Sequence, residues 1–215
     1  MNNVDQLSLF ADDASIASTA NSSKIRTARS GTFSDNMKLP IHRWFRYSAG
    51  FSAEWAEELI RSYGGRPVVL DPFAGSGTTL VAAEKAGVLA FGLESHPFVR
   101  RIADSKLLWH LDERQFVQLG SRLVEGGRRA QGRRPTEVPA LLAKCYMPET
   151  LDRLLSLRLA FQDLSANLEE SQERPLVSLL WLALTAVLRS CSYVGTAQWQ
   201  YILPNKRKAS SLDPF

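Results

Sequence analysis

Cysteine and histidine are scarce in this chain, two and three respectively among 215 residues. Cys145 and Cys191 stand far apart with no metal-ligand spacing, so the sequence predicts neither a disulfide framework nor a zinc site, and it fits a reducing, cytoplasmic setting. No apolar run reaches the ~18 residues that suggest a membrane span. The longest, Leu176 to Leu188, reads as a buried helix. The chain does not open with a basic stretch and an apolar core, so neither a signal peptide nor a membrane partner is expected. Charge of one sign is not in large excess. A formal net charge of +4 and a pI near 9.2 suit a polyanionic partner without establishing one. With 45% hydrophobic residues, the chain can bury one real core. No internal repeat is visible.

Against that background one segment stands out: Val68-Val69-Leu70-Asp71-Pro72-Phe73-Ala74-Gly75-Ser76-Gly77-Thr78-Thr79. An apolar run passes into a glycine-rich turn and then into a helix start. Val68 to Leu70 suit a parallel strand buried on both faces. Gly75 and Gly77 allow a tight turn and close backbone approach to a ligand. Thr78 and Thr79 are candidate caps for a helix through Leu80, Val81, Ala82 and Ala83, whose first free N–H groups would face that ligand. A second strand, Leu89 to Leu93, ends at Glu94. An acidic residue about 20 positions beyond such a turn is placed to grip a pair of ribose hydroxyls.

Three cofactor readings compete for the turn. A phosphate loop needs Lys and then Ser or Thr after its last glycine; Thr78 follows Gly77 directly and no Lys is present. A dinucleotide fingerprint needs a third glycine three residues after Gly77, where Leu80 stands. The third is S-adenosyl-L-methionine. Asp71 to Thr79 resembles the cofactor motif of the bacterial DNA amino-methyltransferases, which modify cytosine N4 or adenine N6. That resemblance implies an α/β, Rossmann-like methyltransferase fold, with Asp71, Pro72, Phe73, Ala74, Gly75, Ser76, Gly77, Thr78, Thr79 and Glu94 as cofactor-binding residues. Phe98 or its neighbours would then wall the adenine, as relatives often carry a Pro and an apolar residue after the acid, here Pro97 and Phe98. His96 reads either as a general base or as a polar loop residue.

The stretch from Leu39 to Ser52, with His42, Tyr47 and Phe51, also resembles the family segment that holds the methionine end of the cofactor. It adds Phe51 and Ser52 to the implied site. Ser52 is a good helix N-cap, and Glu54, Glu57 and Glu58 suit the dipole of the helix that follows. Ser48-Ala49-Gly50 departs from relatives, many of which have a Pro and a basic residue there.

The composition divides the rest of the chain. Residues 1–36, rich in Ser, Asn, Ala, Asp and Thr, are expected to be a disordered tail. Within it Gln6-Leu7-Ser8-Leu9-Phe10 resembles the sliding-clamp binding motif of bacterial replication and repair proteins; the alternative is chance. Residues 37–112 form the cofactor unit. Residues 113–190 read as a helical insertion: a helix to Val124, a Gly- and Arg-rich linker from Glu125 to Pro139, a helix from Pro148, and another from Glu173 to Arg189. Arg128, Arg129, Arg133 and Arg134 either contact phosphates or form a solvated basic loop. Residues 191–215 mix Tyr193, Trp199 and Tyr201 with Lys206, Arg207 and Lys208, a pattern suited to DNA stacking and phosphate contact or to packing a loop. This stretch also resembles the one shortly before the catalytic strand in some cytosine-N4 relatives, which favours N4 over adenine N6.

The chain contains no Pro-Pro pair. Relatives hold a flipped base with Asp, Asn or Ser followed by Pro-Pro and an aromatic. Leu212-Asp213-Pro214-Phe215 lacks one proline, so no catalytic residue is assigned. The resemblance implies an incomplete methyltransferase: the N-terminal part of a larger enzyme, one half of a split enzyme that needs a second chain bearing the tetrapeptide, or a non-catalytic cofactor-binding subunit. An RNA or small-molecule methyltransferase is the weaker alternative.

Overall fold

The computed structural model describes residues 33–64, 68–133, 138–168, 171–194, 207, 208 and 210–215. Residues 1–32, with the Gln6 to Phe10 motif, lie outside this set, as do Arg134, Trp199, Tyr201 and Lys206.

Local sequence chemistry sets the first elements. Ser52 accepts a hydrogen bond from the Trp55 N–H at 3.3 Å and so caps α1, Ala53–Ser62. Strand β1, Val68–Asp71, leads through the glycine turn into α2, Thr78–Lys85. Strand β2, Leu89–Gly92, pairs parallel with β1 in the register Val68 to Leu89 and Asp71 to Gly92. Helix α3, Pro97–Lys106, follows. The mixed class with a small parallel sheet is thus present. The two strands are the whole sheet among the described residues.

Paired residues of a ladder share a face. Val69 and Ala90 pack on Ala56 and Ile60 of α1 and on Ala82 and Ala83 of α2. The opposite face is bare: Val68, Leu70, Leu89 and Phe91 are 62%, 63%, 61% and 56% exposed. Burial on both faces, expected from the apolar run, is therefore not found. Two helices cover one side of the sheet, while α3 packs mainly against a later helix.

That later helix belongs to a second, all-helical core. Helix α4, Glu113–Arg129, is capped by Asp112, which accepts from the Gln115 N–H at 2.8 Å. It continues through Gly126 and Gly127, where the composition predicts a linker. The glycines serve a helix crossing instead: a Cβ on Gly127 would meet Leu157 Cδ2 at 2.9 Å, and one on Gly126 would meet Ala160 Cβ at 3.1 Å. A short α5, Ala140–Cys145, precedes α6, Pro148–Asn167, and α7, Arg174–Cys191. Leu119, Leu123, Leu157, Leu176 and Leu180 form the centre of this core. By length and composition α7 could cross a membrane; here Leu176, Val177, Leu179, Leu180 and Leu182 are buried in the protein.

A 3-10 helix at Phe33–Lys38, whose Asn36 is buried, overlaps the end of the tail expected over residues 1–36. At the other end the described residues of the basic and aromatic stretch close a loop. Val194 and Arg207 form an antiparallel bridge, Arg207 lies over the Tyr193 ring at 5.2 Å, and the Lys208 ammonium donates to the Arg189 carbonyl. Tyr193, Arg207 and Lys208 thus make loop-packing contacts, the ring with the Arg207 guanidinium and the Lys208 ammonium with the Arg189 carbonyl.

Candidate functional site

The glycine turn is held by a network that starts at Asp71. Its carboxylate accepts from the Phe73 N–H at 3.0 Å, and its carbonyl accepts from the Leu93 N–H at 2.9 Å. The Leu93 carbonyl accepts in turn from the Ala74 N–H at 2.9 Å. Glu94 then joins the two strand ends: Oε2 accepts from the Gly75 N–H at 3.0 Å and Oε1 from the His96 N–H at 2.8 Å. Each carboxylate oxygen keeps a further lone pair, so Glu94 is oriented and still able to accept from a hydroxyl pair.

Gly75 and Gly77 have φ of 52° and 82°, the left-handed region that L side chains disfavour. Gly77 is itself the N-cap of α2, with no side-chain cap. Thr78 and Thr79 are therefore its first helical residues and not its caps, since the left-handed glycine already makes the change of direction. The close approaches also differ from the expected backbone–ligand contact. A Cβ on Gly77 would meet Ala103 Cβ of α3 at 3.0 Å and Ala103 Cα at 3.2 Å. On Gly75 it would meet the Tyr47 ring at 3.4 Å. Gly92, which the sequence pattern does not single out, would bring a Cβ to 2.9 Å from both Ala74 and Leu80.

The Leu39 to Ser52 segment does lie against this turn. Tyr47 borders Gly75, and Gly50 borders Thr78. Asn36 fixes its end, donating to the Phe51 carbonyl at 2.8 Å and accepting from the Ala53 N–H at 2.9 Å. That second cap for α1 is invisible in the sequence, where Asn36 sits in a polar tail. Ser52 is buried, while Phe51 is half-exposed and meets Trp55 edge-on.

Two spaces touch the turn. One is an open cleft of about 500 Å³ bordered by Pro72, Phe73, Ala74, Leu93, Glu94 and Ser95, with Arg100 and Asp104 of α3 also on its lining. Its size suits a cofactor-sized molecule. Phe73, 88% exposed, supplies an unpartnered ring beside Glu94. Phe98 does not line this cleft; its ring is engaged with Phe45, His96 and Trp181. His96 is exposed and gives the cleft region only its backbone N–H, which fits a loop residue. The other space is a cavity of about 10 Å³ bordered by Asn36, His42, Tyr47, Ser76, Thr78 and Lys106. No group of three or more His, Cys, Asp or Glu among the described residues is placed to hold a metal.

His42 is 4% exposed and its Nδ1 has no hydrogen-bond partner. Burial, with the Lys106 and Lys85 charges, pulls its pKa from 6.5 to about 4. The imidazole is therefore neutral near pH 7. Because the unfolded chain takes up this proton first, stability should fall as pH drops from 6.5 towards 4. At ~1.4 kcal/mol per pKa unit the loss is roughly 3 kcal/mol. Urea unfolding at pH 7 and pH 4.5 checks this: His42→Asn should flatten the acid dependence, and an unchanged slope would contradict the burial account.

Residues 13–105 match the profile of the DNA methylase family of N6/N4 type. The matched residues, fewer than half of the chain, are similar to that family. The segment resembles the type II methyltransferase M.AvaI of Nostoc, 37% identical over 87 residues, which are 40% of this chain and 17% of that protein. It also resembles M.BsoBI of Geobacillus stearothermophilus, 38% identical over 68 residues, 31% of this chain and 13% of that relative. M.MjaII of Methanocaldococcus jannaschii is 34% identical over 68 residues, with the same shares. The matched stretch is thus less than a fifth of each of these relatives. No solved structure matches the chain significantly. The family match ends one residue before Lys106, and the helical core beyond it lies outside the match.

Proposed function

We propose that this chain forms the S-adenosyl-L-methionine-binding part of a cytoplasmic DNA amino-methyltransferase of a restriction-modification type, with cytosine N4 favoured over adenine N6. One observation carries the reading: within the family-matched segment, Glu94 is locked to the Gly75 backbone at the mouth of a cofactor-sized cleft. The cofactor would supply an electrophilic methyl group on a sulfonium. Glu94 would accept from its ribose hydroxyls, Phe73 and Leu93 would border its adenine, and Ser76, Thr78 and the first turn of α2 would face its amino-acid end. Asp71 and Pro72 shape the turn, Ala74, Gly75 and Gly77 carry its backbone, and Thr79 extends the helix start. Phe51 and Ser52 hold the adjoining segment. The doubly wound, Rossmann-like architecture belongs to the same proposal.

Calorimetric titration with S-adenosylhomocysteine tests the reading. Glu94→Ala should weaken binding by roughly 1.5–3 kcal/mol, the size of hydrogen bonds to a charged group. Tight NAD binding with no response to S-adenosylhomocysteine would overturn it.

The bare face of β1 and β2 favours a second element. We propose that it is covered by the polypeptide that carries the Pro-Pro-aromatic tetrapeptide, whether fused or separate. Four large apolar side chains in one exposed patch of a parallel sheet are unusual without such a cover, and the relatives contain far more chain than the matched segment.

A further inference from the structure

Among the described residues the most buried charge is one the glycine-turn motif does not point to. Lys106 is 2% exposed at the end of α3. Its spacing after Ile102 and Ala103 places it on the apolar stripe of that helix. No ion pair of its ammonium is found among the described residues. Burial draws its pKa down to about 8, with no carboxylate acting in the opposite direction. A cation buried in this way is costly unless an anion joins it.

The surroundings select for an anion. Lys106 lines the small cavity with His42, whose Nδ1 is unpartnered, and with the hydroxyl-bearing residues Ser76 and Thr78, both 5% exposed. Thr78 begins α2, an eight-residue helix whose first N–H groups and dipole also favour negative charge. Among the described residues no acidic side chain borders the cavity. Its volume of about 10 Å³ admits about one water-sized group, the size of a single carboxylate oxygen. A compact ammonium suits that space better than a guanidinium fork would.

We infer that Lys106, with His42, Ser76 and Thr78 around it, is the anion anchor of the site and takes one carboxylate oxygen of the cofactor's amino-acid half. The inference rests on the S-adenosyl-L-methionine reading and gives the buried lysine its counter-ion. Lys106 is a binding residue here and takes no part in methyl transfer.

Two ligands separate the possibilities. S-adenosylhomocysteine carries the amino-acid carboxylate; 5′-methylthioadenosine has the same adenosine and sulfur without it. Calorimetry on the full chain should show Lys106→Met weakening S-adenosylhomocysteine by about 10- to 100-fold while leaving methylthioadenosine within about twofold. Retained methylthioadenosine binding also shows that the variant is folded. The unfolding midpoint of unliganded Lys106→Met should equal or exceed that of the wild type, because a buried unpaired charge has been removed. Equal affinity of wild type and variant for S-adenosylhomocysteine overturns the anchor alone, as does an equal loss of both ligands. A wild type that binds neither ligand overturns the cofactor reading and the anchor with it.

Discussion

Purified residues 1–215, given duplex DNA and a labelled methyl donor, should transfer no measurable methyl group. An amino nitrogen is methylated only when its base is flipped out and its lone pair is aligned with the sulfonium methyl. Orientation of this kind is worth about 7–11 kcal/mol, or at least five orders of magnitude in rate. The chain has no Pro-Pro-aromatic tetrapeptide to supply it. The nearest stretch is engaged elsewhere: Asp213 is paired with Arg153, and Phe215 packs on the helical core beside Gly127 and Leu157. Adding or fusing a polypeptide with Ser-, Asn- or Asp-Pro-Pro-aromatic should restore transfer and protect the bare face of β1 and β2 from hydrogen exchange. Robust labelling of DNA by the chain alone would refute the account.

Replacing Gly77 by alanine should cost about 2–5 kcal/mol of stability, from a left-handed backbone disfavoured by ~1–2 kcal/mol and from overpacking of ~1–3 kcal/mol. The added methyl meets the backbone and Cβ of Ala103, neither of which can swing aside. For a chain of this size the melting temperature should drop by roughly 5–15 °C. Gly87 is the control. Its φ is 70°, yet nothing lies within 4 Å of an added Cβ, so Gly87→Ala should show only the backbone cost of about 1–2 kcal/mol. Equal losses at the two positions would mean that contact between the turn and α3 contributes nothing.

The pair of glycines also shows where sequence reasoning reaches and where it stops. A left-handed residue in a tight turn is a local requirement, so Gly75 and Gly77 were legible as a turn. Which way their missing Cβ atoms point depends on Tyr47 and Ala103, which the turn itself does not specify. The same division runs through the helices. Ser52 as a cap and Pro148 at the start of α6 act within one turn of backbone. Gly126 and Gly127 look like linker residues until α6 is seen crossing them.

The sequence by itself determined the glycine turn, the acidic residue at the end of β2, the cap of α1 and the methylase resemblance, because caps, positive φ and residue spacing are properties of a short stretch of chain. The tertiary structure alone decided that one sheet face is bare, that Asn36 closes α1, that Phe98 turns away from the cleft, and that Lys106 and His42 meet at the helix start. Burial and pairing depend on which distant residues arrive at a surface, and a lysine on a helix reads as solvated until the opposing surface takes its water away.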